Sequence, residues 1–403
     1  MKTEKKKRRL LLLQSLGAVI LFACVFQAGF AARKSWLRSK MKASIFDGNI
    51  NLAMQTGRKL AWYEPRDLKL AITRAELARE SGDSSHSAEI LRDISSRVGD
   101  SISENFELGL KLKDFYLFDQ ALEHLEFGLG REPRNLSAHR AVVEILGIER
   151  RSAEQEIALW KWVKSGESPV EALRLLAQWQ VVIPPGAIPK TSDEGETLSQ
   201  QLAAEPDSAD SAAALACFYR NRGELQKASE IVSKALKKKP DSLNLIAERL
   251  AGLLDSGERE VAGQQLAELG ENVMKSPELL WLRAEYYRCN GHFSKAIEDY
   301  ESGLKQGGRD PKIYFKMAEC ARLGEMKPDY KKYLNKYEKS RQLTYDAADV
   351  DSLNPEVGKM ITLAKTSMEL GRTTEAKAWA KEVLRRDQAN VEARKILEVE
   401  SIK

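Results

Sequence analysis

Residues 209–242 read ADSAAALACFYRNRGELQKASEIVSKALKKKPDS and carry the clearest helical pattern of the chain. Its first half carries apolar side chains at i, i+3, i+4 and i+7, the spacing of one helix face: Ala212, Leu215, Ala216 and Tyr219. Gly223 then permits a sharp turn, and a second apolar stripe follows at Ala228, Val232, Ala235 and Leu236. The stretch therefore predicts two amphipathic helices joined by a tight turn, with Pro240 ending the second helix.

The same pattern returns at a period of 34 residues. The turn glycine recurs as Gly223, Gly257 and Gly291. Three further columns recur at that spacing: Ala228, Ala262 and Ala296; Tyr219, Leu253 and Tyr287; and Ala216, Leu250 and Ala284. A single helix pair cannot bury its apolar stripes alone, so a repeating pair predicts a stack of helix pairs, a solenoid.

These columns resemble the tetratricopeptide repeat family, which places small residues, an aromatic, a glycine, an alanine and a proline across each helix–turn–helix. Residues 209–242 and 277–310 match well, and 243–276, 311–344 and 357–390 match more loosely. In the 311–344 copy the turn glycine is displaced to Gly324. The resemblance implies an all-α solenoid that binds protein partners through the first helix of each copy.

The front half of the chain keeps the pattern less well, with loose copies near residues 68 and 102. The stretch 181–197, VVIPPGAIPKTSDEGET, holds three prolines and two glycines, which favours a break between arrays. We therefore predict two arrays. Residues 48–180 form divergent helical repeats, 181–200 a linker, and 201–403 a tetratricopeptide-type array with an insert near 341–355.

The N-terminal segment has the character of a membrane span. Residues 10–32 read LLLLQSLGAVILFACVFQAGFAA, 23 residues without a charge. As a helix they would extend about 35 Å, enough to cross a hydrocarbon core of about 30 Å. The preceding nine residues form a basic tail that is hard to translocate. These features predict a retained transmembrane helix, a cytoplasmic N-terminus and a helical body on the far, extracytoplasmic side.

Other interpretations of this segment stay open. A signal peptide cleaved near Ala31 would release a secreted or periplasmic protein, and Cys24 could be the lipidated residue of a lipobox. Within a retained span, Cys24, Ala28 and Ala32 share one helix face, which would allow a homo-oligomer. Three cysteines lie beyond the span: Cys217, Cys289 and Cys320. Because an odd number of cysteines cannot all form disulfides with one another, they argue against an oxidising compartment.

The positive net charge of +5 belongs to the N-terminus. Residues 1–42 hold eleven basic side chains and one acid, which leaves 53 basic and 58 acidic residues for the rest of the chain. A mildly acidic body is not typical of a general nucleic-acid binder. The composition therefore predicts protein partners and no nucleic acid.

No constellation of residues indicates chemistry. The four histidines have no ligand or nucleophile at a meaningful spacing: His86, His124, His139 and His292. No phosphate-binding loop, nucleophile elbow or zinc motif is present. We predict no catalytic residues, metal, cofactor or small-molecule substrate. An enzyme alternative would have to use the aromatic-rich residues 136–200, which contain Trp160, Trp162 and Trp179.

The resemblance also implies which residues face a partner. Positions 2, 5, 9, 12 and 13 of each first helix point to the concave face in the family. Carried onto the 209–242 and 277–310 copies, these positions give ten residues, and we take five of them as candidate partner-binding residues: Arg220, Asn221, Trp281, Glu285 and Arg288. The arginines would pair with acidic groups and Trp281 would anchor an apolar side chain. The predicted function is a membrane-tethered, non-enzymatic interaction scaffold.

Overall fold

The structure is a computed structural model that describes residues 26–178, 194–269, 271, 276–306 and 309–399. Within these ranges every regular element is a helix and no strand is present. The prediction of an all-α protein is therefore confirmed. The chain divides into two compact units, Met1–Lys111 and Leu112–Lys403.

Twenty-one helices are described. They are α1 (26–46), α2 (Ile50–Tyr63), α3 (Leu68–Glu80), α4 (Ser84–Ser95), α5 (Ile102–Asp114), α6 (Phe118–Arg131), α7 (Leu136–Ile148), α8 (Ser152–Ser165), α9 (Pro169–Ala177), α10 (Glu194–Ala204), α11 (Ala209–Asn221), α12 (Leu225–Leu236), α13 (Leu243–Ser256), α14 (Arg259–Glu268), α15 (Pro277–Cys289), α16 (Phe293–Lys305), α17 (Pro311–Leu323), α18 (Lys327–Ala348), α19 (Val357–Glu369), α20 (Thr373–Arg386) and α21 (Val391–Glu398).

Local sequence explains where many helices begin. Eight of them start behind an Asn, Asp or Ser whose side chain accepts a backbone N–H of the first turn: Asn49, Asp67, Asp83, Asn135, Ser208, Ser242, Asp310 and Asn390. Such caps satisfy donors that would otherwise have no partner within the helix. They fix the first residue of the helix and thus the direction in which its apolar face points.

The glycine column occupies the turn inside each helix pair, as predicted. Gly223, Gly257 and Gly291 have φ angles of 79°, 83° and 77°, in the left-handed region that favours glycine. In the next pair the displaced Gly324 has a φ of −87°, and Glu325, the residue 34 positions after Gly291, takes the left-handed conformation instead. The turn geometry is thus kept where the glycine is lost.

The first unit is built around α1. Leu37 and Met41 of this helix are 2 % and 5 % exposed and pack with Ala53 and Leu60 of α2. Leu70 and Leu77 extend the same cluster from α3, and α4 packs on α3. The second half of α1 is therefore part of a folded core.

The second unit stacks antiparallel helix pairs. The close pairs are α11 with α12, α13 with α14, α15 with α16, α17 with α18 and α19 with α20. The alanine column is buried between the partners: Ala228, Ala262 and Ala296 are 5 %, 0 % and 0 % exposed. Small residues at these positions allow the two helices of a pair to approach closely, as the sequence pattern predicts.

Early helices of the second unit also contact late ones. Helix α9 packs against α18 and α20. Arg174 Nε donates to the carbonyl of Ala347 at 3.1 Å, and Thr344 Oγ1 donates to the carbonyl of Ala177 at 3.3 Å. These contacts are made between residues more than 160 positions apart, so they are not a product of the 34-residue repeat.

Several of the segments predicted from the sequence lie partly outside the residues that the structure describes. Residues 10–25 of the predicted span lie outside them, while residues 26–32 belong to α1. No helix in the described part of the chain combines the length and apolar character needed to cross a bilayer. Of the predicted linker, 181–193 lie outside the described ranges and α10 begins at Glu194. Residues 341–348 of the predicted insert continue α18, a helix of 22 residues.

Candidate functional site

A groove of about 360 Å³ runs across the first helices of four successive pairs, α11, α13, α15 and α17. Its small and apolar lining, which we call the floor, comes from Ala213, Ala214, Cys217, Ala247, Ala251, Leu254, Trp281, Leu282 and Ile313. Its charged and polar lining comes from Glu149, Arg150, Arg220, Asn244, Glu248, Asp255, Glu278, Glu285, Asp310, Lys312 and Lys316. We call this surface the groove.

Arg220 lines the groove, but its guanidinium is already occupied. Its Nε donates to Glu248 Oε2 at 3.0 Å, and its Nη1 donates to Asp255 Oδ2 at 2.8 Å. Both the Arg220 and Glu248 side chains are only 17 % exposed. The arginine therefore ties α11 to α13, and a partner carboxylate would have to displace these two acids to reach it.

Glu285 is the centre of a second charge network in the groove. It accepts hydrogen bonds from Arg288, from Tyr300 Oη at 2.8 Å and from Lys316 Nζ at 3.0 Å. Burial raises the pKa of this carboxyl, but the hydrogen bond from Arg288 and the charge of Lys316 outweigh it and lower the pKa to about 2. Glu285 is therefore ionised and links α15 to α16 and α17.

Trp281 has two roles. It contributes to the groove floor, and its indole also packs over Gly303 of α16, where an added Cβ would lie 2.8 Å from Trp281 Cδ1. Its buried Nε1 has no hydrogen-bond partner among the described residues. The ring thus fits against α16 only because residue 303 has no side chain, and the same ring lines the groove.

The structure separates the five predicted binding residues into two groups. Arg220, Trp281 and Glu285 line the groove, whereas Asn221 and Arg288 are not among its lining residues. Asn221 is exposed, and its Nδ2 lies 3.6 Å from Cys217 Sγ. Arg288 Nε donates to Glu285 Oε1 at 3.0 Å. Partner contact by any of these five residues stays a prediction.

Sequence reasoning missed a carboxylate cluster at one end of the groove. Oxygen atoms of Asp119, Glu149 and Asp210 lie within 4.8 Å of one another. Arg151 Nη1 approaches Glu149 at 3.0 Å and Asp210 at 3.4 Å, so a guanidinium already balances part of this charge. Burial raises the pKa of Glu149 to about 8, although Arg151 acts in the opposite direction. No sequence signal links these residues, since they come from three separate helix ends.

In the aromatic-rich stretch proposed as an alternative enzyme site, the structure describes residues 136–178, and there Trp162 and His139 lie in the packed core. Trp162 is fully buried, and its Nε1 donates to the carbonyl of Glu167 at 2.8 Å. His139 stacks on it with ring centroids 5.8 Å apart and lies 2.8 Å from the carbonyl of Pro133. Burial lowers the pKa of His139. These contacts give both rings a structural role.

The three cysteines that the structure describes do not form a reactive pair. Cys217, Cys289 and Cys320 are free thiols. Burial raises the pKa of Cys217, and it raises that of Cys320 to about 11. A protonated, buried thiol is a weak nucleophile, so these two side chains act as small core residues.

Residues 277–320 match the family profile described as tetratricopeptide repeat. The comparison with curated proteins gave no significant match. Among solved structures, a tetratricopeptide repeat protein from Parabacteroides merdae is similar at 12 % identity and a TM-score of 0.30, over 72 % of this chain and 98 % of that one. PilF of Pseudomonas aeruginosa is 17 % identical over 56 % of this chain and 95 % of its own, with a TM-score of 0.32. Yeast Tom70 is 11 % identical over 90 % of this chain and 86 % of its own, with a TM-score of 0.33.

Proposed function

We propose that this chain, whose residues 277–320 match the tetratricopeptide repeat family, is a non-enzymatic scaffold that binds an extended segment of a partner protein in the groove. Repeat arrays of this kind are typical of protein–protein interaction. The proposal includes a membrane tether at residues 10–32, a cytoplasmic N-terminus and a body on the far side of the membrane. The uncharged run of 23 residues and its flanking bases support the tether.

The observation that carries the binding site is the small-residue floor of the groove. Four alanines, Ala213, Ala214, Ala247 and Ala251, leave room between α11 and α13 beside the Trp281 ring. A concave apolar floor with a charged rim is the usual form of a ligand site. An extended peptide could place an apolar side chain on this floor and leave its backbone towards the rim.

The ion pairs of the groove disfavour an acidic peptide as the partner. Arg220 is held by Glu248 and Asp255, and Lys316 is held by Glu285. An acidic peptide would have to break these pairs, which costs free energy because the displaced charges are partly buried. We therefore place the main binding energy on apolar contact with Trp281 and its neighbours rather than on partner carboxylates.

The test fills the groove without changing its charge. Ala247→Trp places an indole over the floor, whereas Ser233→Trp places the same side chain at an exposed position of α12. Partners cross-linked mildly to the full-length chain in its native membranes are then compared by quantitative mass spectrometry. We expect Ala247→Trp to reduce the specific partner by at least about tenfold, the effect of losing about 1.4 kcal/mol of binding free energy, and Ser233→Trp to retain it. Equal recovery with both variants would refute the groove as the binding site.

The tether is tested separately. Flotation of the full-length chain with vesicles and N-terminal sequencing of the mature protein distinguish a retained span from a cleaved signal peptide. A chain that floats and keeps its basic N-terminus supports the tether. A mature protein that begins near Ala32 and does not float would contradict it.

A further inference from the structure

We propose that the end of the first unit formed by Phe30, Trp36, Trp62 and Tyr63 lies in the headgroup layer of an anionic bilayer, so that the first helices are held against the membrane. This aromatic surface is called the aromatic end below. The inference rests on the proposed tether and goes beyond it, because a tether alone would allow the body to hang freely on a linker.

The described part of α1, residues 26–46, extends from an exposed N-terminal end into the core of the first unit. Leu37 and Met41 are buried in the core of the first unit, and Phe26 and Phe30 fall on the same helix face by their spacing of four and seven residues. Phe26 is 66 % exposed and Phe30 is 39 % exposed. The apolar face of α1 therefore extends beyond the core that covers its second half.

Aromatic rings collect where α2 ends. The Phe30 ring lies 4.6 Å from the Tyr63 ring and 6.4 Å from the Trp62 ring, measured between centroids. Trp62 is nevertheless 75 % exposed, and Trp36 is 48 % exposed. Large exposed aromatic rings beside an apolar helix face are unusual on a surface that contacts only water. Tryptophan and tyrosine are enriched where protein meets the headgroup layer.

The charges around the aromatic end suit anionic headgroups. Arg33 lies 4.4 Å and Lys40 Nζ 5.0 Å from the centroid of the Trp36 ring. The nearby acids are engaged within the unit: Lys34 pairs with Glu64 at 2.6 Å, and Arg38 binds both Glu64 and Asp67. Two basic side chains thus lie against the exposed Trp36 ring, while Glu64 and Asp67 are paired with bases of α1, and this balance favours a negatively charged surface.

The sequence just before α1 selects a lipid surface over a protein partner. The uncharged run of residues 10–25 directly precedes Phe26, so any bilayer that holds this run lies next to the aromatic end. Phe30 and Trp36 are six residues apart on α1, about 9 Å along the helix axis. This span is comparable to the thickness of one headgroup layer, about 5–8 Å. A span that ends near residue 32 would therefore place both rings near the headgroup layer, where such anchors act.

The ion pairs make this placement rigid. Arg38 Nη2 donates to Glu64 Oε1 at 2.9 Å and to Asp67 Oδ2 at 2.7 Å, which joins α1 to the turn between α2 and α3. Together with the buried Leu37 and Met41, these bonds leave no flexible linker between α1 and the first helices. A span that continues into α1 would set the orientation of the first unit relative to the membrane.

The test measures whether Trp62 meets lipid. The full-length chain is placed in vesicles of phosphatidylcholine and phosphatidylserine whose acyl chains are brominated near the headgroup end, where bromine quenches nearby tryptophan fluorescence. Trp62→Phe is compared with Trp281→Phe, a control in the second unit. We expect bromolipid to quench part of the wild-type emission. Trp62→Phe should remove roughly half of the quenched part because Trp36 supplies the remainder at the same interface, and Trp281→Phe should leave it unchanged.

Two results would overturn the inference while leaving the scaffold intact. One is a Trp62→Phe variant that is quenched as strongly as wild type, and the other is a wild-type chain that floats with the vesicles yet shows no quenching. A chain that does not float at all contradicts the tether itself, so the two failures are distinguishable. Partner recovery with Ala247→Trp tests the groove independently of both.

Discussion

Arg309 Nη2 donates a hydrogen bond to Glu156 Oε1 at 2.8 Å, although 153 residues separate the two side chains. Arg309 also pairs with Glu375, which is fully buried, and its carbonyl accepts a bond from Arg372 Nη2 at 3.2 Å. One arginine, only 8 % exposed, thus connects α8 to α20 from a position immediately before α17. The second unit is held together across its length as well as between neighbouring repeats.

Removing this arginine should destabilise the second unit strongly. Arg309→Met leaves the buried Glu375 carboxylate without its partner, and breaking a buried pair in this way costs about 3–5 kcal/mol. The free energy of unfolding from urea denaturation, followed by circular dichroism, measures the loss. Arg322→Met changes an exposed arginine of α17 and should cost less than about 0.5 kcal/mol. Similar values for both variants would contradict a structural role for the network.

The stability of the second unit should fall as pH rises from about 4.5 to about 8. Burial raises the pKa of Glu149 from 4.5 to about 8 in the folded state, so the folded chain binds this proton more tightly than the unfolded chain. The associated stability is fully present below pH 4.5 and is lost progressively up to pH 8, on the order of 5 kcal/mol. Urea denaturation across this range measures the slope.

The matched control for this pH dependence is Glu149→Gln, which cannot ionise but can still contact Gln201 and Arg151. Its stability should change less between pH 5 and pH 8. Glu285 does not interfere, because its lowered pKa of about 2 places its own loss of stability below pH 4.5. An equally steep slope in Glu149→Gln would show that another group is responsible.

Glu325→Gly should stabilise the protein. Glu325 adopts a φ of 59°, a left-handed conformation that is unfavourable for a residue with a Cβ. Glycine removes that strain, and we expect a gain of about 0.5–1 kcal/mol in the free energy of unfolding. The reciprocal change Gly291→Ala, at a φ of 77°, should lose about 1 kcal/mol. A loss of stability on Glu325→Gly would contradict the interpretation of the turn.

Gly303→Ala should disturb the groove floor, because Gly303 of α16 packs against the Trp281 ring of α15. The new methyl group would overlap the Trp281 indole, and such overpacking costs about 1–3 kcal/mol. Thermal unfolding measures the loss of stability, and the emission maximum of tryptophan fluorescence reports the displacement of the Trp281 indole. Gly130→Ala is the control, because an added Cβ there meets nothing within 4 Å; it should be neutral or stabilising. Equal effects of the two substitutions would exclude the proposed contact.

The repeat itself was readable from the sequence because its causes are local. Gly223, Gly257 and Gly291 mark turns that need a left-handed residue, and the alanine column marks the closest approach of each helix pair. Both follow from backbone sterics within a few residues. Gly324 misled the prediction of the turn position, because a glycine in the sequence does not show whether it serves a turn or a close contact. The turn needs its left-handed residue at position 325, and Gly324 serves close packing against Met326.

The ion pairs of the groove were harder to predict from the sequence, because they depend on contacts between repeats. The sequence predicted that Arg220 would bind an acidic group of a partner. Instead, its guanidinium donates hydrogen bonds to Glu248 and Asp255, which lie 28 and 35 residues further along the chain. A period of 34 brings residues about one repeat apart into adjacent positions, so these acids could have been found by comparing Arg220 with the next copy. The Glu149 cluster and the Arg309 network join helices from different parts of the second unit, and no spacing rule predicts them.

A scaffold of the proposed kind binds its partner protein in the groove. Site-specific photo-cross-linking detects such binding, with a photoreactive amino acid placed at Leu282, on the groove floor, or at Ser233, exposed on α12. In native membranes we predict a discrete protein adduct from position 282 and none of the same mass from position 233. The same adducts from both positions, or none from position 282 while the chain stays folded, would contradict the scaffold account.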